Sequence, residues 1–250
     1  MDLGISGRTA LVLGASRGIG RAIAVALARE GVRVAVASRS RERLADAVAA
    51  IEGEASPFEA DTSDLDRLAA LPGEVESTLG PVDILVPNTG GPPPGGALDN
   101  PRDEWEQAYR SLVLAPRTLV EAALPGMRER HWGRIVNVGS TSVVEPLPNL
   151  ALSNAHRMAT VGFLKTLAAE VAEDGVTVNT VATGRFATDR LASYWASWEE
   201  MERHAHAGVP AARLGQPEEY GDLVAFLCSE RAAYLTGAVI PLDGGLVRST

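Results

Sequence analysis

The sequence predicts an α/β fold in which a doubly wound parallel sheet forms a single domain over residues 1–250. Two observations predict it. Short apolar runs rich in valine and alanine alternate with longer segments whose apolar residues recur at the helical period. A glycine-rich turn joins the first of these strands to the first helix. Because connections between parallel strands are right-handed crossovers, helices are expected on both faces of the sheet.

The alternation assigns the elements in order. The predicted strands are residues 9–13, 32–37, 55–60, 82–86, 134–138, 176–181 and 238–242. The predicted helices are residues 21–30, 42–51, 65–79, about 101–130, 153–173 and 217–228. Pro72 is expected to kink or break the third helix. Residues 184–212 show no strand pattern.

Composition and charge restrict the function classes. The chain is 46% hydrophobic and 22% charged, as in a soluble globular protein. A net charge of −9 and a pI of about 5.0 argue against a nucleic-acid surface. No apolar stretch approaches the ~20 residues of a membrane span, and the N-terminal residues form no basic-then-apolar leader. The one cysteine, Cys228, excludes an intrachain disulfide. A cytoplasmic protein is the expectation.

The turn after the first strand reads Gly14-Ala15-Ser16-Arg17-Gly18-Ile19-Gly20. Glycine allows the backbone to turn tightly and to approach a pyrophosphate without a Cβ in the way. The helix that follows offers free N–H groups and the positive end of its dipole to phosphates. A bare strand-to-helix turn can also carry glycines, but its place at the first strand of an alternating chain favours a nucleotide site.

Together with motifs along the whole chain, this segment resembles the short-chain dehydrogenase/reductase family, and its 3-oxoacyl-carrier-protein reductase-like members most closely. The motifs are Asp61-Thr62, Asn88-Thr89-Gly90, Thr183-Gly184, Arg213-Leu214-Gly215 and Asp243-Gly244-Gly245. Three residues depart from the family pattern, namely Pro87, Thr89 and Thr183.

The resemblance implies a Rossmann-type fold, a nicotinamide dinucleotide and a small-molecule carbonyl or alcohol substrate. It implies a substrate lid at about residues 184–212 and a homotetramer that packs residues 101–130 and 153–173. It also implies cofactor contacts by Gly14, Ser16, Arg17, Gly18, Ile19, Gly20, Ser38, Arg39, Asp61, Thr62, Asn88, Gly90, Gly184 and Thr188.

The end of the second strand contacts the adenosine ribose in such folds, and an acidic residue there favours NAD. This chain instead has Ser38 and Arg39, with Arg41 and Arg43 beyond and Arg17 across the same pocket. Two guanidinium groups can bind a 2′-phosphate through forked hydrogen bonds. The arginines could instead form the solvated start of a helix. NADP(H) is the predicted cofactor.

The family's catalytic residues are only partly matched. In the family, a serine polarises the substrate carbonyl, a tyrosine transfers the proton, and a lysine one turn later lowers the tyrosine pKa and binds the nicotinamide ribose. Ser140 matches the serine, but the tyrosine and lysine positions carry Ser153 and Arg157. Counts from Ser140 and back from Gly162-Phe163 agree on this placement. The only lysine of the chain is Lys165.

These replacements change the acid–base chemistry. An aliphatic hydroxyl is a far poorer acid than a phenol, whose pKa lies near ~10, and one guanidinium does not make up the difference. Loss of a positioned acid or base slows a reaction roughly 100- to 10,000-fold. Arg157 can donate to ribose hydroxyls but exchanges a proton poorly. Judged from Ala115-Pro116, Leu112 stands where the family has an asparagine that holds a relay water. Under the oxidoreductase interpretation, Ser153 or an ordered water would relay the proton.

Other residues could supply the missing acid. His156 lies on the same helix, although a packing histidine is the simpler interpretation. Tyr109 and Tyr194 are further candidates, and Tyr194 falls in the lid, where an apolar cap is the simpler role. Two further histidines lack a nearby third ligand, so no metal site is predicted: His204 and His206.

Two functions are compatible with these residues. The first is an NADP(H)-dependent oxidoreductase of a carbonyl or alcohol with an atypical active site, in which Ser140 holds the carbonyl oxygen. The second is an NADP(H)-binding pseudoenzyme that acts as a sensor, scaffold or partner subunit. Halohydrin dehalogenases share this fold and use Ser, Tyr and Arg at the same spacing. The intact glycine loop and the missing tyrosine argue against that third function.

Overall fold

Seven strands form one parallel sheet in the computed structural model, which describes residues 1–249. The strands are β1 Thr9–Leu13, β2 Arg33–Ser38, β3 Ala55–Glu59, β4 Ile84–Val86, β5 Gly133–Val138, β6 Val176–Thr183 and β7 Val239–Leu242. Their order across the sheet is β3-β2-β1-β4-β5-β6-β7, and every neighbouring pair is parallel. The predicted doubly wound α/β fold is confirmed.

Helices connect the strands and cover both faces of the sheet. They are α1 Gly18–Arg29, α2 Arg41–Ala49, α3 Leu65–Leu79, α4 Arg102–Tyr109, α5 Ala115–Glu129, α6 Ala151–Val171, α7 Asp189–Ala192, α8 Trp198–Gly208 and α9 Pro217–Leu227. A π-helical turn at Arg110–Leu114 joins α4 to α5, so the predicted helical stretch at 101–130 is continuous. The segment 184–212 contributes α7 and α8 but no strand.

Several element bounds differ from the prediction. Helix α1 begins at Gly18 rather than at residue 21, because the glycine turn runs directly into the first helical turn. Strand β6 extends to Thr183, since β7 pairs with it as far as Thr183↔Leu242. The first difference is local, whereas the second reflects pairing with a strand distant in sequence, which local periodicity does not report.

Pro72 does not break α3, contrary to one of the two expectations for it. Proline has no N–H, so the carbonyl one turn earlier loses its helical donor. The helix nevertheless continues to Leu79. Its apolar face is buried in the core by Leu68, Leu71 and Val75, and this packing outweighs the lost hydrogen bond.

The sheet separates two apolar layers. One layer packs α1 and α9 onto the sheet through side chains such as Ile23, Leu27 and Val224. The other packs α3, α5 and α6 through Leu71, Leu119 and Leu164. Within residues 1–249 no helix combines the length and the apolarity that a membrane crossing would need.

The strand order reverses between β1 and β4, which lie side by side although two βα units separate them in sequence. In open parallel sheets, ligands bind outside the carboxyl ends of the strands at such a switch point. The glycine loop follows β1 and Asn88 follows β4, so both are placed at this crevice.

Candidate active site

A cavity of about 980 Å³ runs along the carboxyl edge of the sheet, where β1, β2 and β4 end. Every predicted cofactor residue except Gly184 lines it. Its volume is at the upper end of the range for small-molecule and cofactor sites. Gly184 does not line the cavity and instead packs closely on the end of β7, where a Cβ on it would stand 2.5 Å from the Cα of Asp243. We call this cavity the cleft.

The glycine loop lies very close to the end of β4. Gly14 has a φ of 63°, and a Cβ on it would lie 2.5 Å from the carbonyl oxygen of Asn88. The side chain of Asn88 donates to the Gly14 carbonyl at 3.3 Å and ties the two loops together. A Cβ on Gly20 would collide with the same carbonyl. The N-cap residue Arg17 makes no side-chain hydrogen bond to the first amides of α1. Those amides are therefore available to a ligand.

Basic and hydroxyl side chains gather where β2 ends. Arg17, Arg39 and Arg43 line the cleft together with Ser38. The hydroxyl of Ser38 is buried and has no hydrogen-bond partner among residues 1–249. Arg39 is largely exposed and reaches Asp61 only at 4.0 Å, which is a weak ion pair in water. This end of the cleft therefore offers unpaired hydrogen-bond donors to a ligand that carries hydroxyl or phosphate groups.

Thr188 forms the opposite wall of the glycine loop. Its γ-methyl group would lie 3.4 Å from a Cβ on Gly18. Its hydroxyl accepts from the Leu191 amide at 3.4 Å and caps α7. The chain that follows β6 therefore returns over the cleft, and α7 is held at its rim.

Ser140 lies directly after β5. Its hydroxyl oxygen accepts from the Ser142 amide at 3.2 Å and caps a short 3-10 turn, Thr141–Val143. The hydroxyl of Ser142 is buried without a partner among residues 1–249. The cap fixes the position of Ser140 and leaves its own O–H available as a donor.

Ser153 and Arg157 lie one turn apart on α6, and Ser153 is buried. The Arg157 guanidinium donates to the Val138 carbonyl at 3.0 Å and to the Gly90 carbonyl at 3.3 Å. It therefore bridges the end of β5 and the loop after β4. Burial lowers the pKa of Arg157 to about 10, and the nearby charge of Arg190 adds to this effect. Arg157 is still a cation at neutral pH.

His156 points away from the cleft. Its Nδ1 contacts the Leu152 carbonyl at 2.8 Å, and its ring packs on Trp105 with centroids 5.2 Å apart. A separate cavity of about 590 Å³ contains both His156 and Tyr109 in its wall. The packing interpretation of His156 agrees with this position, and neither side chain is placed to act in the cleft.

The aromatic and histidine side chains of residues 184–212 divide into two groups. Tyr194 lines the cleft, whereas Trp195 stacks on His204 with ring centroids 4.2 Å apart. His206 contacts a backbone carbonyl at 3.1 Å. The part of the chain that the structure describes contains no group of three or more His, Cys, Asp or Glu side chains that could hold a metal ion.

Comparison with known proteins identifies the family. A family model described as enoyl-(acyl carrier protein) reductase matches residues 14–247. The 3-oxoacyl-(acyl-carrier-protein) reductase of Vibrio cholerae is 37% identical to the chain, over 98% of this chain and 99% of that protein. The chain belongs to the short-chain dehydrogenase/reductase family.

Solved structures have the same fold as this short-chain dehydrogenase/reductase. L-sorbose reductase from Gluconobacter frateurii, complexed with NADPH and L-sorbose, gives a TM-score of 0.94 at 31% identity over 100% of both chains. A 7α-hydroxysteroid dehydrogenase, complexed with NADH and 7-oxo glycochenodeoxycholic acid, gives 0.92 at 29% identity over 99% of this chain and 97% of that one. Since these two hold different dinucleotides, the fold alone does not select the cofactor.

Arg190 is a feature of this short-chain dehydrogenase/reductase that the sequence did not single out. It lies on α7, and its guanidinium occupies the space beside Gly91, where a Cβ would collide with it. It also donates to the Tyr194 hydroxyl at 3.2 Å. The one available signal in the sequence was its position two residues after Thr188, a predicted cofactor residue.

Tyr220 is a second such feature. Its phenol is fully buried under β6 and shares a 2.9 Å hydrogen bond with the hydroxyl of Thr183. Burial raises the pKa of Tyr220, and the side chain does not line the cleft. It is therefore a packing residue rather than a substitute proton donor, and the Thr183 departure from the family pattern was the only hint of it.

Proposed function

We propose that this chain is an NADP(H)-dependent oxidoreductase of a small carbonyl or alcohol substrate with an atypical proton-transfer site. The observation that carries the proposal is the cleft itself. Its glycine loop, its first helix and the arginines at the end of β2 match what a dinucleotide phosphate requires. The reductase family model named above matches residues 14–247, and the Vibrio cholerae reductase aligns with 98% of this chain.

NADP(H) fits the cleft better than NAD(H). NAD-binding proteins of this fold have an acidic side chain at the end of β2, which binds the free ribose 2′-hydroxyl. This chain has Ser38 there, and its hydroxyl, unpaired among residues 1–249, can bond the ribose or its phosphate. Arg39 and Arg43 on one side and Arg17 on the other supply cations for a 2′-phosphate. Asp61 lies near Arg39 but leaves most of that guanidinium in solvent.

NADP(H) supplies the hydride or accepts it when bound. Ser140 would donate a hydrogen bond to the substrate oxygen, because its backbone cap leaves the O–H free. Arg157 would orient the nicotinamide ribose through N–H groups not used by Val138 and Gly90. Ser153, or a water beside it, would pass the proton. Residues 184–212 would close over the substrate as a lid.

A second candidate is a cofactor-binding protein with little or no turnover. The observation that favours it is the position of the phenols. Tyr109 lines a separate cavity, and Tyr194 lies on the rim of the cleft. Tyr220 is near enough to Arg157 to affect its pKa, but it is buried and its hydroxyl is bonded to Thr183. Cofactor binding does not separate the two candidates, because both require it.

Turnover separates them. The assay follows nicotinamide absorbance at saturating NADPH or NADP⁺ with a panel of aldehydes, ketones and alcohols. Wild-type protein is compared with Ser140→Ala and with the control Ser142→Ala, which removes a neighbouring hydroxyl that bonds nothing among residues 1–249. We expect Ser140→Ala to lose activity at least roughly tenfold and Ser142→Ala to keep it. If no compound is turned over faster by the wild-type protein than by Ser140→Ala, the enzyme proposal is rejected in favour of the cofactor-binding protein.

A further inference from the structure

Two guanidinium groups flank the adjacent glycines that follow β4. Arg190 reaches back from α7 and fills the space beside Gly91. Arg157 comes from α6 and donates to the carbonyl of Gly90. The two side chains therefore approach the same short stretch of backbone from different elements. The positive charge of Arg190 is near enough to contribute to the lowered pKa of Arg157.

Neither guanidinium has an acidic partner in the part of the chain that the structure describes. No carboxylate among residues 1–249 lies within 4.0 Å of Arg157 or Arg190. The acidic residues that share the cleft wall include Glu104, which already accepts from Asn100 at 2.8 Å. Asp189 also lines the cleft and begins α7, but it forms no ion pair with its neighbour Arg190.

The charge of Arg190, which lines the cleft, and the charge of Arg157 repel each other, and an anion beside them offsets that cost. Within residues 1–249, Arg190 makes one hydrogen bond, to the Tyr194 hydroxyl, and its other N–H groups are available to a ligand. A planar guanidinium matches a carboxylate, which accepts two parallel hydrogen bonds from it. The phenol of Tyr194 adds a donor at the same rim.

We propose that the substrate of this cleft is a carboxylate-bearing oxo or hydroxy acid, whose carboxylate docks on Arg190 with the charge of Arg157 behind it. This inference deepens the proposed oxidoreductase function and rests on it. Arg190 acts in substrate binding and specificity, on the lid side of the cleft, while Ser140 holds the reacting oxygen. A thioester or sugar substrate would leave both arginines without an anion.

The test measures binding rather than turnover. Calorimetry on protein saturated with NADP⁺ compares pyruvate, acetoacetate and levulinate, each with its methyl ester. The series varies the spacing between carbonyl and carboxylate, and oxidised cofactor prevents reduction of the ketones. We expect at least one acid to bind roughly tenfold or more tightly than its ester.

Variants assign that preference to Arg190. Arg190→Ala should reduce the ratio of acid affinity to ester affinity to about one. Arg190→Lys should keep part of the preference, because an ammonium group keeps the charge but cannot donate two parallel hydrogen bonds to a carboxylate. Arg203→Ala is the matched control, since it removes an exposed arginine from α8 elsewhere in the lid. It should leave the ratio unchanged.

Two results would overturn the inference. One is equal binding of every acid and its ester to the wild-type protein. The other is a loss of NADPH affinity in Arg190→Ala, followed by nicotinamide fluorescence, which would assign Arg190 to the cofactor phosphates. Acid-selective binding without any turnover would leave the inference standing and remove the oxidoreductase proposal. Equal turnover of esters and acids would support the oxidoreductase proposal and reject the inference about a carboxylate substrate.

Discussion

Arg39 is the residue that most directly tests the choice of dinucleotide. Replacing it with aspartate puts a carboxylate at the end of β2, where it repels a 2′-phosphate and accepts from a free 2′-hydroxyl. We expect Arg39→Asp to weaken NADPH binding roughly 10- to 100-fold and to improve NADH binding, as measured by nicotinamide fluorescence titration.

Arg41 supplies the control for that experiment. It is two residues further on and pairs with Glu59 at 3.4 Å, and it does not line the cleft. Arg41→Asp makes the same change in net charge and should leave the cofactor preference as it was. Equal affinity for NADPH and NADH before and after the Arg39 change would reject the assignment.

The pair Ser153 and Arg157 tests whether only proton transfer is altered. Restoring a phenol and an ammonium group with Ser153→Tyr and Arg157→Lys should raise carbonyl reduction roughly 100- to 10,000-fold, because a positioned acid of suitable pKa is then present. Initial rates at saturating NADPH measure the gain. The single variant Arg157→Lys lacks the phenol and should show no such gain. A double variant that binds NADPH but does not gain would mean that the cleft is unsuited to carbonyl reduction.

At the scale of elements, α9 depends on a charged cap. Arg213 makes two hydrogen bonds to Glu219, at 2.7 and 2.8 Å, while Glu219 also accepts from the Gln216 amide at 2.7 Å. The Arg213 hydrogen bonds and then the Gln216 amide lower the pKa of Glu219 from 4.5 to about 2. Helix α9 packs on α1 through the core layer that carries the glycine loop.

The sign of the pH dependence follows from that shift. A carboxylate whose pKa is depressed in the folded state contributes its stability fully above pH 4.5 and loses it as the pH falls toward 2. Because the pair is half-exposed, the contribution is about 1 kcal/mol. Glu219→Gln should lower the free energy of unfolding by that amount at pH 7 and by less at pH 3, measured by urea denaturation. Glu218→Gln, one residue earlier, is the control, and a pH slope identical in both variants would contradict the assignment.

Elements also show what periodicity can and cannot predict. The alternation of apolar runs located every strand and the helices that pack on the sheet, because burial on a parallel sheet requires those patterns. It did not locate α7 and α8 within residues 184–212. It did not report that α3 continues through Pro72 or that β6 reaches Thr183, because both depend on packing against partners remote in sequence.

For the whole molecule, the resemblance predicts a homotetramer. Helices α4 and α6 expose large apolar side chains, including Tyr109 and Met158, which are 47% and 53% exposed. Multi-angle light scattering should give about four times the 26.3 kDa of one chain. Met158→Asp should lower that mass, because a charge buried in an apolar interface costs several kcal/mol. Leu98→Asp changes an exposed residue outside both helices and should leave the measured mass unchanged. A mass of 26.3 kDa for the wild-type protein would reject the tetramer.

The sequence by itself determined the fold class, the place of the glycine loop and the presence of Ser140. It also determined that no tyrosine-lysine pair of the family type exists, because Lys165 is the only lysine. These are properties of residue order, and short-range sterics and hydrophobic periodicity transmit them to the fold.

Only the tertiary structure decided where the side chains point. His156 and Arg157 are adjacent on α6, and helical geometry only predicts that they face different directions. The structure shows that His156 packs on α4 while Arg157 bridges Val138 and Gly90. Arg190 lies far from Gly91 in sequence and meets it only because the chain after β6 folds back over the cleft. The direction of a side chain and its electrostatic neighbours depend on contacts between distant elements, and these arise only when the sheet and its helices are assembled.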